Sequence, residues 1–74
     1  MIAAAIHAHL GGTGLSVASR VGEHPNAWTL YRRDKRIPTE SKIASWCAAA
    51  RVVVTMRPDG TVEVTDAPIQ SGVL

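Results

Sequence analysis

The chain has almost no means of cross-linking itself. Cys47 is the single cysteine in 74 residues, so a disulfide could join it only to another chain. One unpaired cysteine with no signal-peptide pattern suits a reducing cytoplasm. At this length only one domain fits, and its core is marginal; without a staple, oligomerisation is expected. Long hydrophobic runs are missing too. The apolar start, Met1 to Leu10, is too short to span a bilayer, lacks a positive leader and contains His7 and His9. It is better read as a first amphipathic helix, with Ile2, Ile6 and Leu10 on an i, i+4, i+8 stripe. No membrane partner is expected.

Chemistry-bearing clusters are equally scarce. No Ser/His/Asp set and no paired carboxylates stand out, and so short a chain offers little room for a cleft, so an enzyme is not expected. His7 and His9 are two apart and point about 200° apart around a helix, where metal chelation favours i, i+4 pairs. His24 falls in a turn and Cys47 on an apolar helix face, so neither a metal nor another cofactor is expected, nor a small-molecule ligand. The GGTG run at residues 11–14 lacks the lysine of a phosphate-binding loop and serves as a helix connector. No repeats or low-complexity tracts appear.

What is present lies between Thr13 and Pro38, TGLSVASRVGEHPNAWTLYRRDKRIP. Thr13 is a suitable N-cap for a helix over 14–21 carrying Leu15, Val17, Ala18 and Val21, and Gly22 supplies its stop. His24-Pro25 opens a further helix over 25–33, because proline at the first helical position sacrifices only an orphan N–H. Trp28 and Tyr31 are three apart on one face of it, leaving Asn26, Ala27, Thr29, Leu30 and Arg33 to look elsewhere. Asp34 sits where a chain leaving a helix needs a left-handed residue. Two short helices with a glycine turn between them form a helix-turn-helix, a shape sized for the major groove of DNA.

Net charge is only +2, but its distribution is uneven. Residues 32–42 hold Arg32, Arg33, Lys35, Arg36 and Lys42 against Asp34 and Glu40, a net of +3. From Pro58 onward there are Asp59, Glu63 and Asp66 and no base, a net of −3. One face is therefore suited to a polyanion while the C-terminal segment faces elsewhere.

Pro38-Thr39, followed by Glu40 and Lys42, marks the entry to a fourth helix with Ile43, Ala44, Trp46, Cys47 and Ala50 on its apolar face. The period changes at Arg51. Val52–Met56 and Thr61–Thr65 read as strands around Pro58-Asp59-Gly60, a hairpin signal. The expected fold is mainly α with a C-terminal β-hairpin (α+β): four short helices, then a two-stranded antiparallel hairpin. Residues 1–66 form the single domain, and 67–74 a loose tail.

With those elements placed, the sequence resembles the phage repressor and Cro-like helix-turn-helix family, that is, the lambda repressor-like fold. The family's apolar-Ala, three residues, Gly, short turn and recognition helix stand here as Val17-Ala18, Ser19-Arg20-Val21, Gly22, Glu23-His24 and Pro25 onward. Its basic turn and proline stand as Lys35-Arg36-Ile37-Pro38, and RVVVTMRPDGTVEVTD is similar to the hairpin of Cro proteins. Where relatives carry a glutamine that touches the phosphate backbone, this chain has Gly14, so that contact is lost or passes to backbone N–H groups. Asp34 replaces the glycine many relatives have after the recognition helix.

The resemblance implies a transcriptional regulator of phage or bacterial type, working in the cytoplasm at the nucleoid. Its partner would be double-stranded operator DNA, bound by a homodimer paired through the C-terminal strand or the fourth helix. Asn26 has the donor and acceptor needed to pair bidentately with adenine, or is simply a solvated residue near a helix start. Thr29 and Leu30 have methyls to offer a thymine, with Leu30 packing inside as the competing reading; Ala27 lies beside them. Arg32, Arg33, Lys35 and Arg36 suit phosphates better than bases, and Thr13 and Gly14 fall at the family's phosphate-contacting helix start. Trp28 and Tyr31 are read as core, and Trp46 as core or dimer interface. Two other functions stay open: an antitoxin-type regulator that also binds a partner protein through its hairpin, with Ile69, Val73 and Leu74 contributing, and a DNA-bending excision factor.

Overall fold

Most helix boundaries in the computed structural model, which describes residues 1–68, have a local cause in the sequence. Helix α1 (Ile2–Leu10) ends at Gly11, whose φ of 71° breaks the helix while its N–H still reaches the His7 carbonyl. Helix α2 (Gly14–Val21) is opened by Thr13, whose hydroxyl accepts from the Ser16 N–H at 3.1 Å. It closes at Gly22 in the left-handed region, φ 80°, with the Glu23 N–H on the Ala18 carbonyl at 2.8 Å. Helix α3 (Pro25–Arg32) has proline at its first position and His24 as cap, Nδ1 accepting from the Asn26 N–H at 3.2 Å. Asp34 is left-handed at φ 58°, as its place after the helix demands. Thr39 caps α4 (Glu40–Ala50) by accepting from the Lys42 N–H at 3.2 Å.

Arg51, itself left-handed at φ 58°, turns the chain from α4 into strand β1 (Val52–Met56), which pairs antiparallel with β2 (Val62–Asp66). The five residues between them, 57–61, turn at Pro58-Asp59-Gly60, inside the Arg57 N–H to Thr61 carbonyl bond. The Gly60 N–H donates to the Arg57 carbonyl, and Gly60 at φ 89° supplies the left-handed residue of a bulged turn. Asp59 Oδ1 accepts from both the Thr61 N–H (3.0 Å) and its hydroxyl (2.7 Å), which starts β2 at Val62, one residue later than the alternation predicts. The Ala67 N–H donates to the Arg51 carbonyl, so residue 67 belongs to the hairpin and not to a loose tail. The expected tail residues Ile69, Val73 and Leu74 lie outside the described residues.

All three aromatic residues of the chain meet in one cluster. Trp46 stands edge-on to Trp28 at 5.0 Å and to Tyr31 at 4.8 Å between ring centroids. Around them close Ala3 and Ile6 from α1, Val17, Ala18 and Val21 from α2, Ala50 from α4 and Val52 from β1. Both indoles are fully buried and both N–H groups are satisfied: Trp28 donates to His7 Nδ1 (3.1 Å), Trp46 to Glu23 Oε2 (2.8 Å). Trp46 is thus core and not dimer surface.

Three apolar expectations shift in phase. Leu15 is 68% exposed, because a residue two before Val17 lies on the opposite side of α2. On α1 the deepest residues are Ala3 and Ile6, with Ile2 and Leu10 half-buried at the margins. On α4 Ala44 faces solvent beside the stripe of Ile43, Trp46, Cys47 and Ala50. The hairpin lays Val52, Val54 and Val64 against the core, β2 resting on α1, and turns Val53, Thr55, Glu63 and Thr65 outward.

Candidate nucleic-acid interface

Helix α3 is divided along its length by what it buries. Trp28 and Tyr31 point into the core, and Ala27 packs against it, half-buried. Asn26, Leu30 and Arg33, at i, i+4 and i+7, are exposed and form one outward stripe. Leu30, 37% exposed, lies at the surface and not within the core. Thr29 is half-buried beside this stripe, and its hydroxyl donates to the Pro25 carbonyl at 3.0 Å, a local bond that leaves its methyl and an acceptor for any partner.

The basic residues separate into two groups. Arg33 and Lys35 are exposed and extend from the end of α3. Arg36 is exposed as well, but its guanidinium sits 5.8 Å from the centroid of the Tyr31 ring, drawn toward the core side of the helix. Arg32 is half-buried and reaches back to the start of α2. A Cβ on Gly14 would lie 3.0 Å from Arg32 Nη2, so the glycine leaves the space this guanidinium occupies. Arg32 Nε is buried without a protein partner. Thr13 is exposed with its hydroxyl engaged as the cap, and the first intrahelical bond of α2 is Val17 N–H to the Thr13 carbonyl. The N–H groups of Gly14 and Leu15 precede that bond and point out of the helix mouth beside Arg32. The sequence offered no signal for this pairing of residues 14 and 32, which are far apart along the chain.

Glu23, in the turn between α2 and α3, was not singled out from sequence, yet it anchors the turn to α4. Its carboxylate, 10% exposed, takes the Trp46 indole N–H and the Lys42 ammonium at 3.0 Å. Burial pushes its carboxyl up, but the hydrogen bonds from Trp46 and Lys42 and the charges of Lys42 and Arg36 outweigh that and hold it below its ordinary 4.5. The bond to Glu23 raises Lys42 in turn. A carboxyl depressed in the folded state adds stability above its unfolded value and loses it as pH falls through the folded one. Acid unfolding of the parent therefore steepens below pH 4.5, and Glu23→Gln, which keeps an acceptor for Trp46, removes part of that slope. Urea titrations across that range measure it; identical slopes would mean the pair contributes nothing.

Among the described residues no three His, Cys, Asp or Glu side chains gather to hold a metal ion. Burial pushes the half-buried Cys47 thiol up, keeping it protonated and poorly nucleophilic. No helix among them is long and apolar enough to cross a membrane. Comparison with protein-family models, with curated proteins and with solved structures finds no match for this chain.

Proposed function

We propose that this chain is a sequence-specific DNA-binding regulator of the Cro-like repressor kind, inserting α3 into the major groove of an operator as a homodimer. The observation that carries the reading is the outward stripe Asn26–Leu30–Arg33 on a helix otherwise locked into the core, continued by the exposed Lys35. A base-reading helix needs polar side chains projecting from its N-terminal half and cations where the groove edge passes. Asn26 is positioned for the first task, Arg33 and Lys35 for the second. The mouth of α2, with Arg32 laid across Gly14, suits a backbone phosphate. A two-fold dimer sets the two α3 helices about 34 Å apart on a roughly palindromic site.

Selecting bound sites from random DNA and then measuring Asn26→Ala tests the reading. The variant is expected to lose ~1–3 kcal/mol on the selected site, chiefly at one base pair, and little on random DNA. Equal affinity of parent and variant for the selected site would remove Asn26 from readout. A footprint of two symmetric half-sites fits a repressor, whereas a long tandem array of unsymmetric sites would assign the chain as an excision factor. A co-purifying protein would favour the antitoxin-type reading.

A further inference from the structure

Helix α1 carries a hydrogen-bond donor that no described part of the protein takes up. An indole N–H can only donate, so His7 Nδ1, which meets Trp28 at 3.1 Å, must be the bare nitrogen of its ring. The imidazole is then neutral, with its proton on Nε2. Among the described residues the His7 side chain makes no other hydrogen bond, and its Nε2 is not one of the enclosed polar atoms.

His7 opens onto a groove of about 280 Å³ between α1 and the end of α3, lined also by Ala4, Ala8, Arg32 and Arg33. The walls hold two guanidinium groups and no carboxylate. Neither arginine has an acidic partner among the described residues: Asp34, next along the chain, pairs with the Met1 amino group, and Asp66 pairs with His9. Arg32 Nε is enclosed with no partner at all. Ala4 and Ala8, both exposed, are one turn apart on α1, and their short side chains leave the groove clear. Two unpaired positive charges and a neutral donor around one space suit an oxyanion.

We propose that this groove seats a phosphate of the DNA backbone, with His7 Nε2–H, Arg32 and Arg33 as donors, which makes α1 part of the nucleic-acid interface. The proposal rests on the DNA reading above and adds a contact to it. Continuity favours a DNA phosphate over another oxyanion. Arg33 belongs both to the groove and to the outward stripe of α3, and Arg32 joins the groove to the mouth of α2 at Gly14. A strand passing the flank of α3 meets these features in turn. His7 contributes through a neutral donor, so unlike the arginines it displaces no counterion from DNA.

His7 has two bonds to make, and two substitutions separate them. His7→Asn keeps an acceptor at the place of Nδ1, since both atoms are bonded to Cγ, and removes the donor at Nε2. His7→Gln carries its amide nitrogen as far out as Nε2 and has no acceptor next to the indole. Ala8→Glu touches no buried side chain and sets a carboxylate against Arg32 and Arg33, in competition with phosphate.

Affinity for the selected site and for random duplex is measured across a salt series, with thermal melting of each variant alongside. His7→Asn is expected to bind both DNAs about tenfold or more weakly, with the salt dependence unchanged. His7→Gln should melt below the parent, yet bind within about threefold of it where both are folded. Ala8→Glu should melt with the parent, bind both DNAs more weakly and flatten the salt dependence. Parent-like binding by His7→Asn or by Ala8→Glu would overturn the proposal and leave the DNA reading standing. So would a loss in His7→Asn that His7→Gln shares or that is confined to the selected site, because His7 would then act by holding Trp28 and α3. A parent that binds no duplex would overturn the DNA reading itself, and this contact with it.

Discussion

Trp28→Ala is expected to be among the most destabilising single substitutions in this chain. The indole is fully buried, stands edge-on to Trp46 and donates its N–H to His7. Truncating a buried tryptophan costs ~3–5 kcal/mol, the lost transfer energy plus the cavity left behind. At the usual ~0.05–0.15 kcal/mol per residue, a domain of this length holds only ~4–11 kcal/mol in total. The loss is therefore between about a quarter and the whole of the stability. Circular dichroism during thermal and urea unfolding measures it. A variant that melts near the parent while losing DNA would place Trp28 on the reading face and rotate α3 away from the arrangement described here.

The second large effect concerns salt. If Arg33 and Lys35 each neutralise a phosphate, removing both flattens the log–log dependence of affinity on salt by about 1.8, at 0.9 per phosphate. At ~0.1 M salt the same two contacts amount to roughly 60-fold in affinity relative to a 1 M reference, on specific and random DNA alike. Both side chains are exposed and neither is part of the core, so Arg33→Ala/Lys35→Ala should melt close to the parent. Arg36→Ala is the contrasting variant: with its guanidinium near Tyr31, it should change the slope less and the stability more. An unchanged slope in the double variant would take both residues off the phosphate backbone.

What the sequence made legible follows from how local each determinant is. Thr13, Gly22, His24-Pro25, Asp34 and Thr39 act within four residues of themselves, and the helix ends stand within a residue of where they were expected. The hairpin came through with β2 starting one residue late because an Asp59 side chain captured Thr61. Phase was harder. Leu15 is as apolar as its neighbours, and only the geometry of the packed helix assigns it to solvent. The candidate interface was legible in outline, since Trp28 and Tyr31 fix which side of α3 faces inward. Its details depended on contacts between distant residues: Arg32 over Gly14, Arg36 over Tyr31, Glu23 under Trp46. No spacing rule joins such pairs.

The packing of α1 against β2 has a consequence in time. Helices α2 and α3 are synthesised well before β2, yet Trp28 needs His7 on α1, and α1 needs β2 to cover it. His9 on α1 contacts Asp66 at the far end of β2 at 2.8 Å, joining the first element to the last. At about 5–20 residues per second, roughly 2–7 s separate the completion of α3 from that of β2. During that interval the helix-turn-helix lacks the lid that closes its core. A released chain truncated before Val62 should therefore be cleaved by protease within α3, and a chain that extends through Asp66 should be protected there.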